Sequence, residues 1–454
     1  MVPNKASVVI CGAGIAGISA AYYLAVRNGV RDVVLVDPRP PLSLTSDKST
    51  EAYRNWWPGP GDEMVRFMNR SIDLLEELAR ETGNRFLMNR RGYTFFTADP
   101  AGARAYEESG RMISALGAGP LRIHPGPDAY RPSPGEGYEE QPTGADLILD
   151  PALIRQHYPF IAEGAIAMLH ARRCGWLSAQ QLGSFLLEEA RRHGARLVPA
   201  GVTGVTLDGG RVTGVCVGDE TIATEAFVVA AGPLAAEVAA MMGVELPLHN
   251  ELHGKISFAD YLGIVPRDAP LMIWSDPVSL VWSDEERAAL AADEETAWLA
   301  RTFPAGVHFR PEGGAGSDML LGLWTYDVEV TPPTWPPRFP EFYAEIVLRG
   351  LARMAPGLAA YIERPRRLYV DGGYYCKTPE NRPLVSPLPV TGAYIIGALS
   401  GFGIMAAQAA GELLAAHVTG GMLPAYSDAF HVARYDDPRY RAEMAAWDSS
   451  AGQL

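Results

Sequence analysis

A glycine-rich hexapeptide near the start of the chain, GAGIAG, has the spacing of a turn that holds a dinucleotide. Gly12 allows a tight turn, Gly14 lets the backbone approach a pyrophosphate, and Gly17 lets a helix pack closely on a strand. Amide groups at the start of that helix would face the phosphates. Asp37, which ends the next apolar run, can accept hydrogen bonds from a ribose diol and would repel a 2′-phosphate. These residues predict binding of FAD or NAD rather than NADP.

The elements around this turn must place it at the end of a buried sheet. An apolar run at 8–10 predicts a strand, 15–28 predicts a helix, and 32–37 predicts a second strand, which together form a βαβ unit. Apolar runs of the same kind recur at 226–232 and 393–399. The pattern indicates a nucleotide-binding domain with a mostly parallel sheet, assembled from separate parts of the chain.

The sequence between these apolar runs has a different composition and pattern. Residues 246–365 mix short apolar runs, prolines and tryptophans, which favours an antiparallel or mixed sheet with added helices. Residues 119–148 are rich in Pro, Gly and Glu and predict an irregular surface segment. We therefore predict an α/β fold with a Rossmann-like cofactor domain and a second, α+β substrate domain. The predicted boundaries are 1–88, 165–245 and 366–425 for the cofactor domain, 89–164 and 246–365 for the substrate domain, and 426–454 for a C-terminal tail.

Composition excludes several classes of function. The 454 residues carry a net charge of −14, which repels nucleic-acid phosphates, and the four cysteines form no CxxC pair. Residues 6–26 are uncharged and long enough to span a membrane, but a buried strand–turn–helix has the same hydropathy. The HNELH segment at 249–253 lacks the spacing of a zinc helix and predicts the start of a strand. We expect a cytoplasmic protein with no membrane span, no nucleic-acid partner and no metal.

Four blocks of the sequence together carry a resemblance to a known family. The blocks are GAGIAG, TSDKST at 45–50 followed by Tyr53 and Arg54, GWLSAQQL at 175–182 with VVAAGP at 228–233, and the stretch 378–414. They resemble the D-amino acid oxidase superfamily of flavoproteins, in particular its sarcosine oxidase, glycine oxidase and dimethylglycine dehydrogenase branch. The resemblance is poor across 84–165 and 246–365.

The resemblance implies a bound FAD and a set of positions that contact it. Considered alone, the Ser and Thr residues among these positions are also typical of a solvated turn. The implied positions are Gly12, Ala13, Gly14, Ile15, Ala16, Gly17, Asp37, Pro38, Arg39, Ser46, Ser49, Thr50, Val202, Ala231, Gly232, Gly373, Gly401, Phe402, Gly403, Ile404 and Met405.

The SGFGIM segment has a physical interpretation of its own. Gly401 and Gly403 allow the backbone to approach a ligand where a helix begins. The amino end of that helix would stabilise the negative charge of a reduced flavin. The alternative is a plain tight turn between a strand and a helix.

For the substrate, the resemblance implies that Arg54 pairs with a carboxylate, since a guanidinium fork suits that bidentate geometry. The alternative is an ordinary surface arginine. Met405 and Trp324 are predicted walls of the same pocket.

Three departures from the family pattern qualify this prediction. Gly373 stands where covalent-flavin relatives have a cysteine, so we expect non-covalent FAD. Met405 replaces a lysine that helps to hold the substrate carboxylate. Leu320 is aligned with the lysine that promotes reaction with oxygen, and Lys255 or Lys377 could substitute for the missing cations.

The predicted function is FAD-dependent oxidation of the C–N bond of a small amine or amino acid, secondary or N-substituted. A hydride passes to flavin N5, and the imine product hydrolyses. The electron acceptor is either O2 or an electron-transfer partner. Two alternatives stay open from the sequence, an NAD-dependent dehydrogenase and a flavin-binding assembly factor without turnover.

Overall fold

The computed structural model describes residues 2–126, 130–314, 316–364 and 367–447. The α-helices are α1 Ile15–Tyr22, α2 Glu63–Thr82, α3 Pro100–Ile113, α4 Pro151–His157, α5 Ala179–Arg192, α6 Ala235–Ala240, α7 Asp284–Ala292, α8 Tyr343–Met354, α9 Ala360–Glu363, α10 Gly403–Thr419 and α11 Pro438–Met444. The strands are β1 Val8–Cys11, β2 Val33–Val36, β3 Ala52–Arg54, β4 Tyr93–Thr97, β5 Leu121–His124, β6 Ala145–Ile148, β7 Ala167–Ala171, β8 Cys174–Trp176, β9 Arg196–Val198, β10 Val202–Asp208, β11 Arg211–Val217, β12 Glu220–Ala223, β13 Phe227–Val229, β14 His249–Ala259, β15 Leu271–Trp274, β16 Val278–Ser279, β17 Thr302–Phe303, β18 His308–Pro311, β19 Met319–Leu323, β20 Tyr369–Lys377, β21 Leu384–Pro387 and β22 Ala393–Gly397.

A six-stranded sheet forms the first layer, in the order β21-β22-β13-β1-β2-β9. All neighbours are parallel except β21, which runs antiparallel to β22. One face, with Ile10 and Leu35, packs against α1 and α10, and α5 and α2 pack in turn against these two helices. The other face, with Val9 and Val34, packs against α6 and the small sheet β10-β11-β12. Burial on both faces explains why these strands read as continuous apolar runs.

A nine-stranded mixed sheet forms the second unit, in the order β20-β14-β19-β18-β15-β4-β7-β6-β5. Its neighbours are antiparallel except β15 with β4 and β5 with β6. One face of the sheet packs against α8 through Ile256, Phe258 and Leu320. The predicted fold class, a Rossmann-like layer with a second mixed-sheet unit, is confirmed.

Two details differ from the sequence-based expectation. Residues 119–148, predicted to be irregular, contain β5 and β6, because pairing with β7 overrides the local Pro and Gly content; residues 127–129 of this stretch lie outside the described residues. Strands β7 and β20 both belong to the nine-stranded sheet. The ranges predicted for the cofactor domain, 165–245 and 366–425, nevertheless include them. The domain boundaries stay a prediction, and the boundary at 365/366 and the tail residues 448–454 lie outside the described residues.

The uncharged stretch at 6–26 forms β1, α1 and most of a following π-helical turn at 23–27, all within the first unit. Across the described residues, no helix combines the length and apolar character needed to cross a bilayer.

Candidate functional site

A deep cleft opens where the carboxyl ends of β1, β13 and β22 meet the amino ends of α1 and α10. Its volume, including the part open to solvent, is about 870 Å³. Clefts at this edge of a parallel sheet are the usual place for a dinucleotide. Its walls are Gly12 to Ala16, Asp37, Arg39, Pro40, Leu42 to Ser46, Ser49, Ala230 to Pro233, Tyr374 to Cys376, Ile396 to Gly401, Gly403 and Ile404.

The glycines of the first turn are required by close backbone contacts. Gly12 has φ +116°, and a Cβ there would lie 2.4 Å from the Ala230 carbonyl oxygen. A Cβ on Gly17 would lie 2.0 Å from the Gly12 carbonyl oxygen. Any side chain at either position would push the strand and helix apart, so the turn depends on glycine.

Backbone amides at this turn are already oriented. The Ala13 N–H donates to Asp37 Oδ2 over 2.8 Å, and the Arg39 N–H donates to Asp37 Oδ1 over 2.9 Å. The Ile15 N–H donates to Ser46 Oγ over 3.0 Å. No side chain of the N-cap residue Gly14 covers the amino end of α1. The positive end of the helix dipole therefore faces the cleft, which suits a pyrophosphate.

The opposite wall comes from β20 and the turn before α10. Ser400 has φ +46°, and a Cβ on Gly401 would lie 2.3 Å from the Tyr375 ring. The Tyr374 carbonyl accepts a hydrogen bond from Thr45 Oγ1 over 2.8 Å, which ties β20 to the segment at 45–50. Tyr374, Tyr375 and Cys376 were not predicted from the sequence, although their place just before the TPENRP block was a usable signal.

The structure brings most of the predicted cofactor positions to the cleft. Those that line it are Gly12, Ala13, Gly14, Ile15, Ala16, Asp37, Arg39, Ser46, Ser49, Ala231, Gly232, Gly401, Gly403 and Ile404. Gly17, Pro38, Val202 and Gly373 do not line it. Gly17 packs beneath the turn, and the α-carbon of Gly373 faces Thr45 and Lys48.

A smaller, more enclosed cavity adjoins the cleft, and we call it the inner cavity. Its empty volume is about 570 Å³, and Tyr375, Ser400 and Gly401 line both spaces. Its other lining residues are Thr50, Arg54, Tyr93, His253, Gly254, His308, Leu323, Thr325, Asn381, Phe402 and Met405. The predicted residues Arg54 and Met405 thus meet here, together with Thr50 and Phe402.

Arg54 is the cationic wall of the inner cavity. It ends β3, and its side chain is only 6% exposed. Its guanidinium carbon lies 4.7 Å from the centre of the Trp57 ring and 5.9 Å from that of Tyr93. Burial lowers the pKa of Arg54, but a guanidinium remains charged at any physiological pH. The surface alternative for Arg54 is therefore wrong.

Trp324 and Leu320 lie away from the site. Leu320 is fully buried opposite Phe258 on the face of the nine-stranded sheet that packs on α8. Trp324 packs against Gly350 of α8, and its indole N–H donates to the Pro304 carbonyl over 3.2 Å. Side chains alternate along a strand, so Leu323 and Thr325 reach the inner cavity instead. The sequence-based prediction placed Trp324 and Leu320 at the site, whereas both side chains lie in the core beside α8 and not in the inner cavity.

Two histidines in the inner cavity were missed. His253 belongs to β14, where His249, Glu251, His253 and Lys255 alternate with apolar or small residues. The sequence predicts a strand here, and this period of two could have shown that the polar residues share one face. His308 begins β18, and its Nδ1 lies 2.9 Å from the Gly306 carbonyl oxygen.

A wider cavity, which we call the outer cavity, adjoins the inner one at Thr325, which lines both. Glu251 is its central charge: Lys377 Nζ donates to Glu251 Oε2 over 2.6 Å, and His253 Nε2 lies 3.0 Å from the same oxygen. Lys255, in contrast, donates to the Asp47 carbonyl over 3.2 Å.

Burial and these contacts set the protonation states. Burial alone would raise the pKa of Glu251, but hydrogen bonds from His253 and Lys377 lower it to about 2. Burial lowers the pKa of His253, and it lowers the pKa of His308 to about 4. Both imidazoles are therefore neutral, and Glu251 is a carboxylate, near pH 7.

Comparison with known proteins agrees with the geometry. The chain is 25% identical over 429 residues to an uncharacterised oxidoreductase, YurR, of Bacillus subtilis, covering 91% of this chain and 95% of that protein. The structure superposes on L-proline dehydrogenase from P. horikoshii with a TM-score of 0.73, 21% identity, and coverage of 98% and 100%. It superposes on glycine oxidase from Geobacillus kaustophilus with a TM-score of 0.72, 17% identity, and coverage of 95% and 99%.

Residues 7–417 match the family described as FAD dependent oxidoreductase. The cleft fits that cofactor, because the close backbone contacts at Gly12 and Gly17, the amino end of α1 and the Asp37 carboxylate suit a dinucleotide. The match selects FAD over NAD, which the glycine-rich turn left open, and an enzyme over an assembly factor without turnover. The chain belongs to the family of FAD dependent oxidoreductases.

Proposed function

We propose that this oxidoreductase oxidises the C–N bond of an amino acid or a related carboxylate-bearing amine, with a secondary or N-substituted nitrogen. The observation that carries the proposal is the buried Arg54 guanidinium in a cavity that adjoins the dinucleotide cleft. A buried guanidinium that lines an enclosed cavity favours a ligand with a carboxylate, since the two groups form charge-assisted, bidentate hydrogen bonds.

Bound FAD would supply the hydride acceptor, and the protein would supply position. Arg54 holds the carboxylate through two parallel N–H···O bonds. Trp57 and Tyr93 pack beside the guanidinium and fix its orientation. Tyr375, which lines both the cleft and the inner cavity, limits where the substrate can lie. Holding the reacting carbon in this way lowers the activation free energy, because the substrate has already lost its translational and rotational freedom before the reaction begins.

The position of Thr325, which lines both cavities, supports an N-substituted substrate. A substituent on the nitrogen would extend past Thr325 from the inner cavity toward the outer one. Small amino acids would leave that space to water. We also propose that FAD is held without a covalent bond, since the position aligned with the covalent cysteine is Gly373.

The test is anaerobic reduction of the flavin by a panel of amino acids, N-alkyl amino acids and simple amines. At least one carboxylate-bearing amine should bleach the flavin absorbance. The variant Arg54→Ala should raise KM for that substrate about 100-fold, as expected for loss of a charge-assisted bidentate contact. The KM of Arg54→Lys should lie between that of Arg54→Ala and that of the wild type.

The matched control is Arg111→Ala, at an arginine whose side chain is 64% exposed on α3; its KM should equal that of the wild type. Amines without a carboxylate should be insensitive to Arg54→Ala. The proposal is wrong if no member of the panel reduces the flavin, or if Arg54→Ala leaves KM for a carboxylate substrate unchanged. A separate experiment addresses the electron acceptor. Once a substrate has reduced the flavin, mixing the enzyme with O2 shows whether O2 reoxidises it or another molecule must do so.

A further inference from the structure

We propose that His253 is the catalytic base that removes a proton from the substrate ammonium group, and that Glu251 is its positioning residue. This inference rests on the proposed function, because it assumes an amine substrate in the inner cavity. An amine nitrogen must be deprotonated before its lone pair can assist departure of a hydride from the neighbouring carbon, and amino acids bind from water mainly as ammonium ions.

The position of His253 follows from the period of two along β14. Glu251 and His253 lie on the same face of the strand, with Glu251 in the outer cavity and His253 in the inner one. The imidazole stacks on the Tyr375 ring with 4.0 Å between ring centres and 15° between planes. Because Tyr375 also lines the cofactor cleft, this stacking fixes His253 beside the place where the substrate meets the flavin.

The contacts of His253 assign its tautomer. The Glu251 carboxylate can only accept a hydrogen bond, so the proton of the neutral imidazole lies on Nε2, 3.0 Å from Glu251 Oε2. Nδ1 then carries the lone pair. Thr325 Oγ1 lies 3.4 Å from Nδ1, a long contact at the border of the two cavities. The basic nitrogen therefore lies at that border.

Some charged and titratable groups around His253 raise its pKa, and others lower it. Burial is the largest influence and lowers the pKa of His253; Lys377 lowers it further, whereas Glu251 raises it. The facing groups are Glu251 on the same strand, Lys377 and Tyr375 on β20, His308 on β18, and Arg54 and Tyr93 across the inner cavity. The ring is thus neutral before substrate binds, while the carboxylate can stabilise an imidazolium once it forms.

His308 is the other imidazole in the cavity, and its surroundings suit it less to this role. Its Nδ1 contacts a neutral carbonyl, that of Gly306, rather than a carboxylate. Burial lowers its pKa to about 4, with further lowering by Arg54 and His253. Within the described part of the chain no carboxylate contacts His308, whereas an imidazolium at His253 would be paired with Glu251.

The step is a balanced proton transfer. An N–H bond of the ammonium breaks, its electron pair stays on nitrogen as a lone pair, and a new N–H bond forms at His253 Nδ1. The imidazolium keeps its Nε2–H directed at Glu251. Glu251 lines the open outer cavity, so the proton has a route to solvent after turnover.

The experiment measures anaerobic flavin reduction by stopped flow in the holoenzyme, at saturating substrate, from pH 7 to pH 10.5. The variant His253→Asn should be about 100-fold slower near pH 7.5, within the range for loss of a general base. Its rate should recover toward the wild type near pH 10, where the free amine predominates, and added imidazole should restore part of the loss at pH 7.5. Glu251→Gln should lose about tenfold over the same pH range, as expected for loss of an orienting carboxylate.

The matched control is His193→Asn, at an exposed histidine that follows α5 and lies outside both cavities. This variant should change the rate by less than twofold. Binding gives an independent readout. The Kd of 2-aminoisobutyrate, which has no α-hydrogen to lose, should differ less than threefold between His253→Asn and wild type in a titration of the flavin spectrum.

The outcomes separate the two proposals. If the wild type is reduced by an amine but His253→Asn keeps its rate, or loses it equally at every pH without rescue by imidazole, the assignment of His253 is wrong and the proposed function stands. If no amine reduces the wild type, the proposed function fails and the assignment of His253 fails with it.

Discussion

The cofactor cleft and the inner cavity share three residues, yet they are built in different ways. The cleft is formed largely by backbone and small residues in short, continuous segments such as 12–16 and 396–401. The inner cavity is formed by larger side chains from β3, β4, β14, β18, β20 and α10, which are distant in sequence. Phosphate recognition needs amides and close approach, which a local motif encodes, whereas recognition of a small substrate depends on which face of each strand turns inward.

The largest expected effect is on the cleft. Gly12→Ala should abolish FAD binding, because the new Cβ would lie 2.4 Å from the Ala230 carbonyl in a backbone with φ +116°. The control is Gly29→Ala, which also has a positive φ, +66°, but no atom within 4 Å of the added Cβ. It should cost about 1 kcal/mol and keep the flavin. The ratio of flavin to protein absorbance checks both variants. Full flavin content in Gly12→Ala would show that the close backbone contact at Gly12 is not needed to bind FAD.

The inner cavity can be probed with two leucines on opposite faces of β19. Leu320→Ala should lower the free energy of unfolding by about 2–5 kcal/mol, because Leu320 is fully buried against the α8 side, and it should leave KM unchanged. Leu323→Ala should lower stability less and change KM, since Leu323 lines the inner cavity. Chemical denaturation at a fixed FAD concentration and steady-state kinetics measure the two effects. The same KM change in both variants would contradict the assigned register.

These pairs show what the sequence could predict. The cleft was readable because GAGIAG and SGFGIM carry their geometry in adjacent residues, and 14 predicted positions line it. Arg54 was found through the resemblance. Trp324 and Leu320 were misplaced because a one-residue change of register turns a strand side chain to the opposite face. His308 left no local pattern, since its role depends on pairing of β18 with β15 and β19, which are separated from it by loops.

A moderate effect should appear in the pH dependence of stability. The folded-state pKa of His308, about 4, lies below the unfolded value near 6.5, so the unfolded chain binds more protons between these values. His308 therefore makes the free energy of unfolding fall as pH decreases from 6.5, by about 2 kcal/mol at pH 5. His308→Asn should remove this part of the slope, as measured by urea denaturation at fixed FAD concentration.

The control for this slope is His193→Asn, at an exposed histidine that follows α5. As pH is lowered from 6.5 to 5, the stability of this variant should fall as steeply as that of the wild type. If His308→Asn has the wild-type slope between pH 6.5 and pH 5, then the neutral state of His308 does not contribute to folding, and its contrast with the carboxylate-paired His253 loses its electrostatic basis.

The smallest effect is expected at Cys376, the one cysteine side chain of the cleft near the TP motif. Cys376 lines the cleft, and burial raises its pKa to about 12. A thioether bond to the flavin would require a thiolate, which is scarce at neutral pH when the pKa is this high. Acid or heat should therefore release FAD from the wild type and from Cys376→Ser in equal amount. Because the backbone cradle at Gly12 and the amino end of α1 hold the dinucleotide without this thiol, Cys376→Ser should also keep its flavin content; fluorescence that migrates with wild-type but not Cys376→Ser protein on a denaturing gel would show a covalent bond instead.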